Sequence, residues 1–217
     1  MNSSILATDT VVFNVRKKKL KVLLIKMNKE PFKEKWALPG GFVWTHELCE
    51  NAATRILYEA TNVDNLYLEQ LKVFDAIDRD PKNRIVSVAY MAIIKKDDMT
   101  LKVSDRYTDI AWFPIDELPQ LAYDHEEIIS YCLTRLTWKI TYSTLSLTML
   151  PDEFTLTEIQ EIFEIILKKK IDKRNFRKKL LRQGLIEETW NKKTIWVPRP
   201  AVLYRAVSKE LVLKEMI

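Results

Sequence analysis

At 217 residues with 47% hydrophobic content, the chain can form one large domain or two small ones around a buried core. No apolar run reaches membrane-spanning length, and the opening MNSSILATDT lacks the basic-then-apolar order of a secretory leader, so neither is expected. The net charge is +5, all of it past Pro151, where 15 Lys and Arg face 10 Asp and Glu; the first 150 residues hold 20 of each, which points to a second module that meets a polyanion.

In chain order, Ala7 to Val15 and Lys19 to Met27 predict two strands joined by a basic turn. Trp36 to Leu38 resumes extended structure before Pro39-Gly40-Gly41, a turn signal. Two of the three glycines stand there, so unusual backbone angles are expected. Glu47 to Thr61 predicts a helix, with Leu48, Ala52, Ala53, Ile56, Leu57 and Ala60 on one apolar side. Asn62 can stop it in the left-handed conformation. Leu66 to Asp75, Arg84 to Lys96 and Ala111 to Pro114 are strand candidates, with a charged turn at Asp78 to Pro81 and a helical turn over Ile115 to Leu118. Asp124 to Leu136 predicts a second helix. Mixed strands with two helices suit an α/β sandwich with a mixed sheet. Cys49 and Cys132 are isolated, form no metal-ligand spacing, and fit a reducing, cytoplasmic interior. His46 and His125 are expected at the surface.

Composition shifts towards Ser and Thr from Trp138, which marks the expected junction between a domain over residues 1–146 and another over 147–217. Thr155 and Glu158 form a capping box for a helix with an Ile159, Ile162, Phe163 and Ile166 stripe. Asp172 caps a second helix, Lys173 to Gln183, with Phe176, Leu180 and Leu181 inward and Gly184 after its end. Ile186 to Thr189 with Trp196, then Val202 to Val207, predict a hairpin. Helix, turn, helix, hairpin is the order of a winged helix-turn-helix. Nine basic residues and one acidic one lie between Lys168 and Arg182. On the second helix Lys173, Arg174, Asn175, Arg177, Lys178 and Arg182 are candidates for double-stranded DNA, Arg and Asn for base edges. Lys169, Lys170, Lys192, Lys193 and Arg199 suit phosphates, which position rather than specify.

The stretch WALPGGFVWTHELCENAATRILYEATNV resembles the Nudix box. Counted from its first glycine, that box reads Gly, five residues, Glu, seven residues, Arg-Glu, an apolar residue, any residue, Glu-Glu, any residue, Gly, an apolar residue. Gly41, Glu47, Arg55, Leu57, Glu59 and Val63 match; Ile56 and Ala60 replace glutamates and Asn62 the glycine. With DRDPKNRIVSVAY after the box and DKRNFRKKLLRQGLIEET and RPAVLYR further on, nearly the whole chain is similar to the Nudix-related transcriptional regulators. That resemblance implies a Nudix-like α/β/α sandwich, a C-terminal winged helix, a homodimer, and control of NAD or sugar metabolism genes through operator DNA. It also implies that box carboxylates would hold Mg²⁺. Glu59 alone survives of three, so no catalytic residue, resident metal or cofactor is expected beyond weak Mg²⁺ binding at Glu59. Glu47 and Arg55 then lock the loop to the helix. Asp78 and Arg79 are the polar candidates for ligand binding; Trp36 and Phe42 either wall the pocket or pack ordinarily. The effector implied is ADP-ribose-like or a pentose such as arabinose, and the missing carboxylates favour the less charged one. The competing readings are a Nudix hydrolase of ADP-ribose with an accessory domain, for which Glu126 or Glu127 would serve as base, and a protein-binding module.

Overall fold

The structure is a computed structural model that describes residues 4–63, 66–95, 101, 106–193, 200–208 and 210–217. The chain folds as two compact units. One takes the chain through Asn14 and Leu20–Leu133, the other Val15–Lys19 and Thr134–Ile217.

The first unit is built on a seven-stranded sheet. Strands β1 (Ile5–Arg16), β2 (Lys19–Met27), β3 (Trp36–Ala37), β5 (Tyr67–Phe74) and β6 (Ile85–Ile93) run in the order β3-β2-β1-β6-β5. β4 (Gly40–Phe42) adds to β1 and β7 (Tyr107–Pro114) to β2. β1 lies parallel to β6, while β1–β4, β2–β7 and β5–β6 are antiparallel, so the sheet is mixed as expected. Every residue of β1 from Ala7 to Asn14 is buried, as a strand covered on both faces requires. Helix α1 (Cys49–Thr61) sets Leu57 and Ala60 against Val12, Leu23, Ile25 and Ala92 on one face, and Ala53 against Val88 and Tyr90. The alternate positions of β1 and β6 point the other way, and there Asp9 meets His125 at the start of helix α2 (His125–Tyr142). Helices thus cover both faces, and each buried Leu or Ile in these layers contributes about 1.5–3 kcal/mol.

Several local expectations change. Gly40 and Gly41 form β4 rather than a turn, and neither has a positive φ. Their smallness serves close approach: a side chain at Gly40 would strike Asp9 Oδ1 and come within 2.8 Å of the Thr8 carbonyl oxygen. Positive backbone angles occur instead at Lys17 (φ 50°) and Lys18 (φ 59°), among others, and these two close the tight β1–β2 hairpin. Leu48 precedes α1 and is 72% exposed, so the helix starts two residues later than predicted and without its first apolar residue. Asn62 ends it at φ 55°, as expected. Residues 115–118 are a non-helical turn. α2 runs six residues past the predicted Leu136, to Tyr142. The Ser- and Thr-rich stretch after it is a 3-10 helix, Thr144–Met149, with Thr144 and Ser146 buried.

In the second unit, helix α3 (Leu156–Leu167) begins at the Thr155–Glu158 capping box and buries Ile159, Ile162, Phe163 and Ile166. Helix α4 (Lys173–Arg182) is capped by Asp172 and buries Phe176 and Leu180. Phe163 and Phe176 meet edge to face at 5.1 Å. Leu181, predicted inward, is 47% exposed, because it lies about 100° round the helix from Leu180. Strands β8 (Ile186–Lys193) and β9 (Ala201–Ala206) form an antiparallel hairpin, and Phe154 pairs with Tyr204 beside it. This is the predicted winged helix; Trp196 and Arg199 lie outside the described residues. Among the described residues no helix is long and apolar enough to cross a membrane.

Candidate effector site and nucleic-acid interface

In the first unit the loop before α1 is tied to the helix by one bidentate pair. Arg55 Nε and Nη2 donate to the two Glu47 carboxylate oxygens, both at 2.8 Å, and Nη2 also reaches the Phe42 carbonyl oxygen at 3.3 Å. The Arg55 bond holds Glu47 below the usual carboxylate range, and Glu47 in turn raises Arg55. The Arg55 guanidinium lies 3.7 Å from the Trp44 ring centre. The frame role predicted for Glu47 and Arg55 is what this geometry performs.

The metal positions are otherwise. Ile56 and Ala60 are 6% and 1% exposed. Ile56 fills the space before Gly41, where a Cβ would lie 3.1 Å from its Cδ1. Glu59 faces Arg106 at 3.0 Å and Arg55 at 3.6 Å. Mg²⁺ needs a near-octahedral set of oxygens. One carboxylate between two guanidiniums, flanked by buried Ile and Ala, does not fit it, and no metal-assisted step follows from this site. Among the described residues no three His, Cys, Asp or Glu side chains gather to hold a metal. Glu126 and Glu127 are exposed, Glu127 against Lys72 at 3.6 Å.

The polar centre of the unit lies elsewhere. Arg79 donates from Nε and Nη2 to both oxygens of Asp124, at 2.8 and 2.7 Å, and from Nη2 to Asp9 at 3.1 Å. Ser87 Oγ donates to Asp9 at 2.6 Å. His125 Nδ1 accepts from the Leu38 N–H at 2.9 Å, which leaves Nε2 facing Asp9 Oδ1 at 3.4 Å. Burial alone would raise the Asp9 carboxyl; His125, Ser87 and Arg79 outweigh it and hold the group well below the usual range. Burial likewise opposes the Arg79 charge, and the bonds to Asp124 and Asp9 raise it overall. His125 is therefore buried, not a surface residue, because a nearby backbone donor and Asp9 supply both its nitrogens with partners. His46 is exposed.

Of the four predicted ligand residues, Arg79 sits in this cluster with its guanidinium committed, and Asp78 is exposed. Trp36 is half-buried, edge-on to Phe113 at 4.6 Å, and Phe42 is exposed at the end of β4. No hydrogen bond, ion pair or ring contact links these four among the described residues. Sequence reasoning missed Asp9, Ser87, Asp124 and His125. Only an aspartate in the middle of a buried strand could have flagged the first.

In the second unit α4 sorts its basic residues by angle. Phe176 and Leu180 face in. Arg174, Lys178 and Arg182, spaced four apart, face out and are exposed, with Lys173 and Asn175 exposed beside them. Arg177 is half-buried, and its Nη2 donates to Thr157 Oγ1 at 2.9 Å. Lys179 pairs with Glu215 at 2.8 Å. Lys169 and Lys192 are exposed; Lys170 pairs with Glu164 at 2.7 Å and Lys193 with Glu158 at 2.8 Å. An exposed helix face with Arg and Lys on consecutive turns has the size and charge to enter a major groove.

A Nudix fold with a closed metal face, followed by a winged helix with a basic outward helix, defines a class of DNA-binding regulator. Known proteins agree. The Nudix domain model matches residues 5–132, and the NrtR DNA-binding winged helix domain model matches residues 146–206. The ADPR responsive transcriptional repressor NtrR of Acinetobacter baylyi is 37% identical over 210 residues, 94% of this chain and 82% of that protein. Shewanella oneidensis NrtR, in its crystal structure with a 27mer DNA, superposes with a TM-score of 0.83 at 34% identity, over 93% of each chain. The Nudix domain of that protein complexed with ADP ribose gives 0.56 at 31% identity, over 63% of this chain and 90% of the domain. The chain belongs to the NrtR family of Nudix-related transcriptional regulators.

Proposed function

We propose that the protein is a transcriptional repressor whose Nudix unit binds ADP-ribose and whose winged helix unit binds operator DNA, the first controlling the second. The observation that carries this is the contrast within the box: the Glu47–Arg55 frame is intact while Ile56 and Ala60 close the metal positions. A pocket so built keeps its shape and lacks the donors for hydrolysis. The relatives' ADP-ribose favours the diphosphate over a pentose. Physics allows it, since carboxylates without a metal would repel a diphosphate and Ile56 and Ala60 remove that repulsion. Trp36, Phe42, Asp78 and Arg79 remain the candidate pocket residues. Arg174, Asn175, Lys178 and Arg182 would read or grip DNA, with Lys173, Lys192 and Lys193 on phosphates. The division of labour falls near residue 146. The protein acts as a cytoplasmic homodimer on paired half-sites and controls genes of NAD or sugar metabolism.

ADP-ribose binds one state of the protein better and shifts operator affinity by that differential, typically about 5–150-fold. Anisotropy with a labelled duplex from upstream of the flanking genes, titrated with ADP-ribose or arabinose, tests this. The expected result is release by ADP-ribose and none by arabinose. Release by arabinose alone would move the effector to the pentose class, and turnover of ADP-ribose lost on Glu59→Gln would make the protein an enzyme.

A further inference from the structure

The winged helix domain model ends at residue 206, yet the chain beyond it is bound into the second unit at two places. The first is the end of α2 and the start of the 3-10 helix after it. Thr144 N–H donates to the Val212 carbonyl oxygen at 2.9 Å, and Val212 N–H returns a bond to Thr144 Oγ1 at 2.9 Å. Lys214 N–H reaches the Tyr142 carbonyl oxygen at 2.8 Å and Met216 N–H that of Thr141 at 2.7 Å. Met216 itself is fully buried. The second place is the last turn of α4. Lys179 Nζ donates to Glu215 Oε1 at 2.8 Å, and Gln183 Nε2 donates to the Glu215 carbonyl oxygen at 2.6 Å.

α4 needs such a hold. It buries two apolar side chains, Phe176 and Leu180, in ten residues. At about 1.5–3 kcal/mol each they fasten it, but two contacts one turn apart on a single stripe leave rotation about the helix axis weakly fixed. Arg177 and Lys179 leave the helix on opposite sides of that stripe. Arg177 is bonded to Thr157 on α3, and Lys179 to Glu215. The two flanks are thus pinned, and the pins decide which way Arg174, Lys178 and Arg182 project.

We propose that the segment Leu211–Ile217, through Glu215, is a strap that sets the rotation of α4 and so positions its outward side chains on operator DNA. Glu215 is a positioning residue that touches no base. The inference rests on the operator-binding reading above and adds a part of the chain to it. Its sign separates it from plain electrostatics. Removing a carboxylate from a DNA-binding unit tightens binding if charge alone matters; loss of the strap weakens specific binding.

The test is Glu215→Gln in the full chain, measured by anisotropy at one fixed salt concentration against the operator duplex and a scrambled duplex. The expected result is about two- to fivefold weaker operator binding, the worth of an exposed ion pair, with scrambled-duplex affinity unchanged or tighter and the unfolding midpoint retained. Gln183→Ala, which removes the second bond, repeats the loss of discrimination. Operator binding that is unchanged or tighter in Glu215→Gln overturns the strap. Both affinities falling together with the unfolding midpoint reduces the segment to a stability element and also overturns it. A wild-type protein that cannot tell the operator from the scrambled duplex overturns the operator reading itself, and the strap with it.

Discussion

In α1 the positions one turn apart at Ile56 and Ala60 are apolar and buried; in α4 the positions one turn apart at Arg174, Lys178 and Arg182 are charged and exposed. Both helices use the same period. α1 spends that face on packing against Gly41 and the sheet core, and keeps Arg55 and Glu59 paired with each other and with neighbours. α4 spends only Phe176 and Leu180 on packing and leaves the rest of its circumference polar. A unit that senses needs a rigid, closed frame. A unit that meets a polyanion needs unpaired cations and tolerates a thin core. The ion pairs differ accordingly: the Arg79 pairs of the first unit are internal and shielded, whereas the Lys179–Glu215 pair of α4 lies at its flank.

The first test strikes the shielded side. Arg79→Ala leaves Asp9 and Asp124 without their shared cation in a buried site, and should cost about 3–5 kcal/mol in denaturant unfolding. Arg174→Ala should leave the same measurement nearly unchanged. Acid sharpens this. The Asp9 carboxyl is depressed in the folded state. Its contribution is therefore present above the unfolded carboxylate pKa of about 3.9 and is lost as pH falls below that towards the folded value. Stability of Asp9→Asn should be lower at neutral pH and should fall less steeply under acid than that of the wild type.

Next in size is an attempt to turn α1 back. Ile56→Glu places a carboxylate where a buried methyl packs, and should cost about 3 kcal/mol or more in thermal or denaturant unfolding. A variant as stable as the wild type would mean that the position opens to solvent, against the closed frame described. The smaller effects belong to α4. Arg174→Ala should weaken operator binding by about 1–3 kcal/mol and relax preference at one base position. Lys178→Ala should weaken operator and scrambled DNA alike and reduce the log–log salt slope by about 0.9. Reversed roles for these two would redraw the reading of the helix face, not its charge.

Much of the fold was legible because its signals are local. The β1–β2 hairpin, the Asn62 stop, the Thr155–Glu158 box, the Asp172 cap and Gly184 each announce themselves within a few residues. What was hidden depends on partners far along the chain. β4 is three residues long and exists because it pairs with β1. The two glycines there answer to Asp9 and Ile56, not to their own backbone angles. Arg79 meets Asp124 across 45 residues and Asp9 across 70, so neither the cluster nor the burial of His125 could be read from spacing. In the site itself the Glu47–Arg55 lock was legible, since a loop and the helix it feeds hold both residues. The pins on α4 were not, since Thr157 and Glu215 lie on other segments.

The central claim is that the Nudix unit reads its ligand without metal and without cleaving it. The most direct measurement is the affinity of the full chain for its operator duplex in EDTA, with and without ADP-ribose, followed by recovery of the nucleotide. Weaker DNA binding with ADP-ribose, unaffected by EDTA, and ADP-ribose recovered intact is the predicted result. An effect that requires Mg²⁺ and leaves AMP and ribose phosphate behind would contradict it.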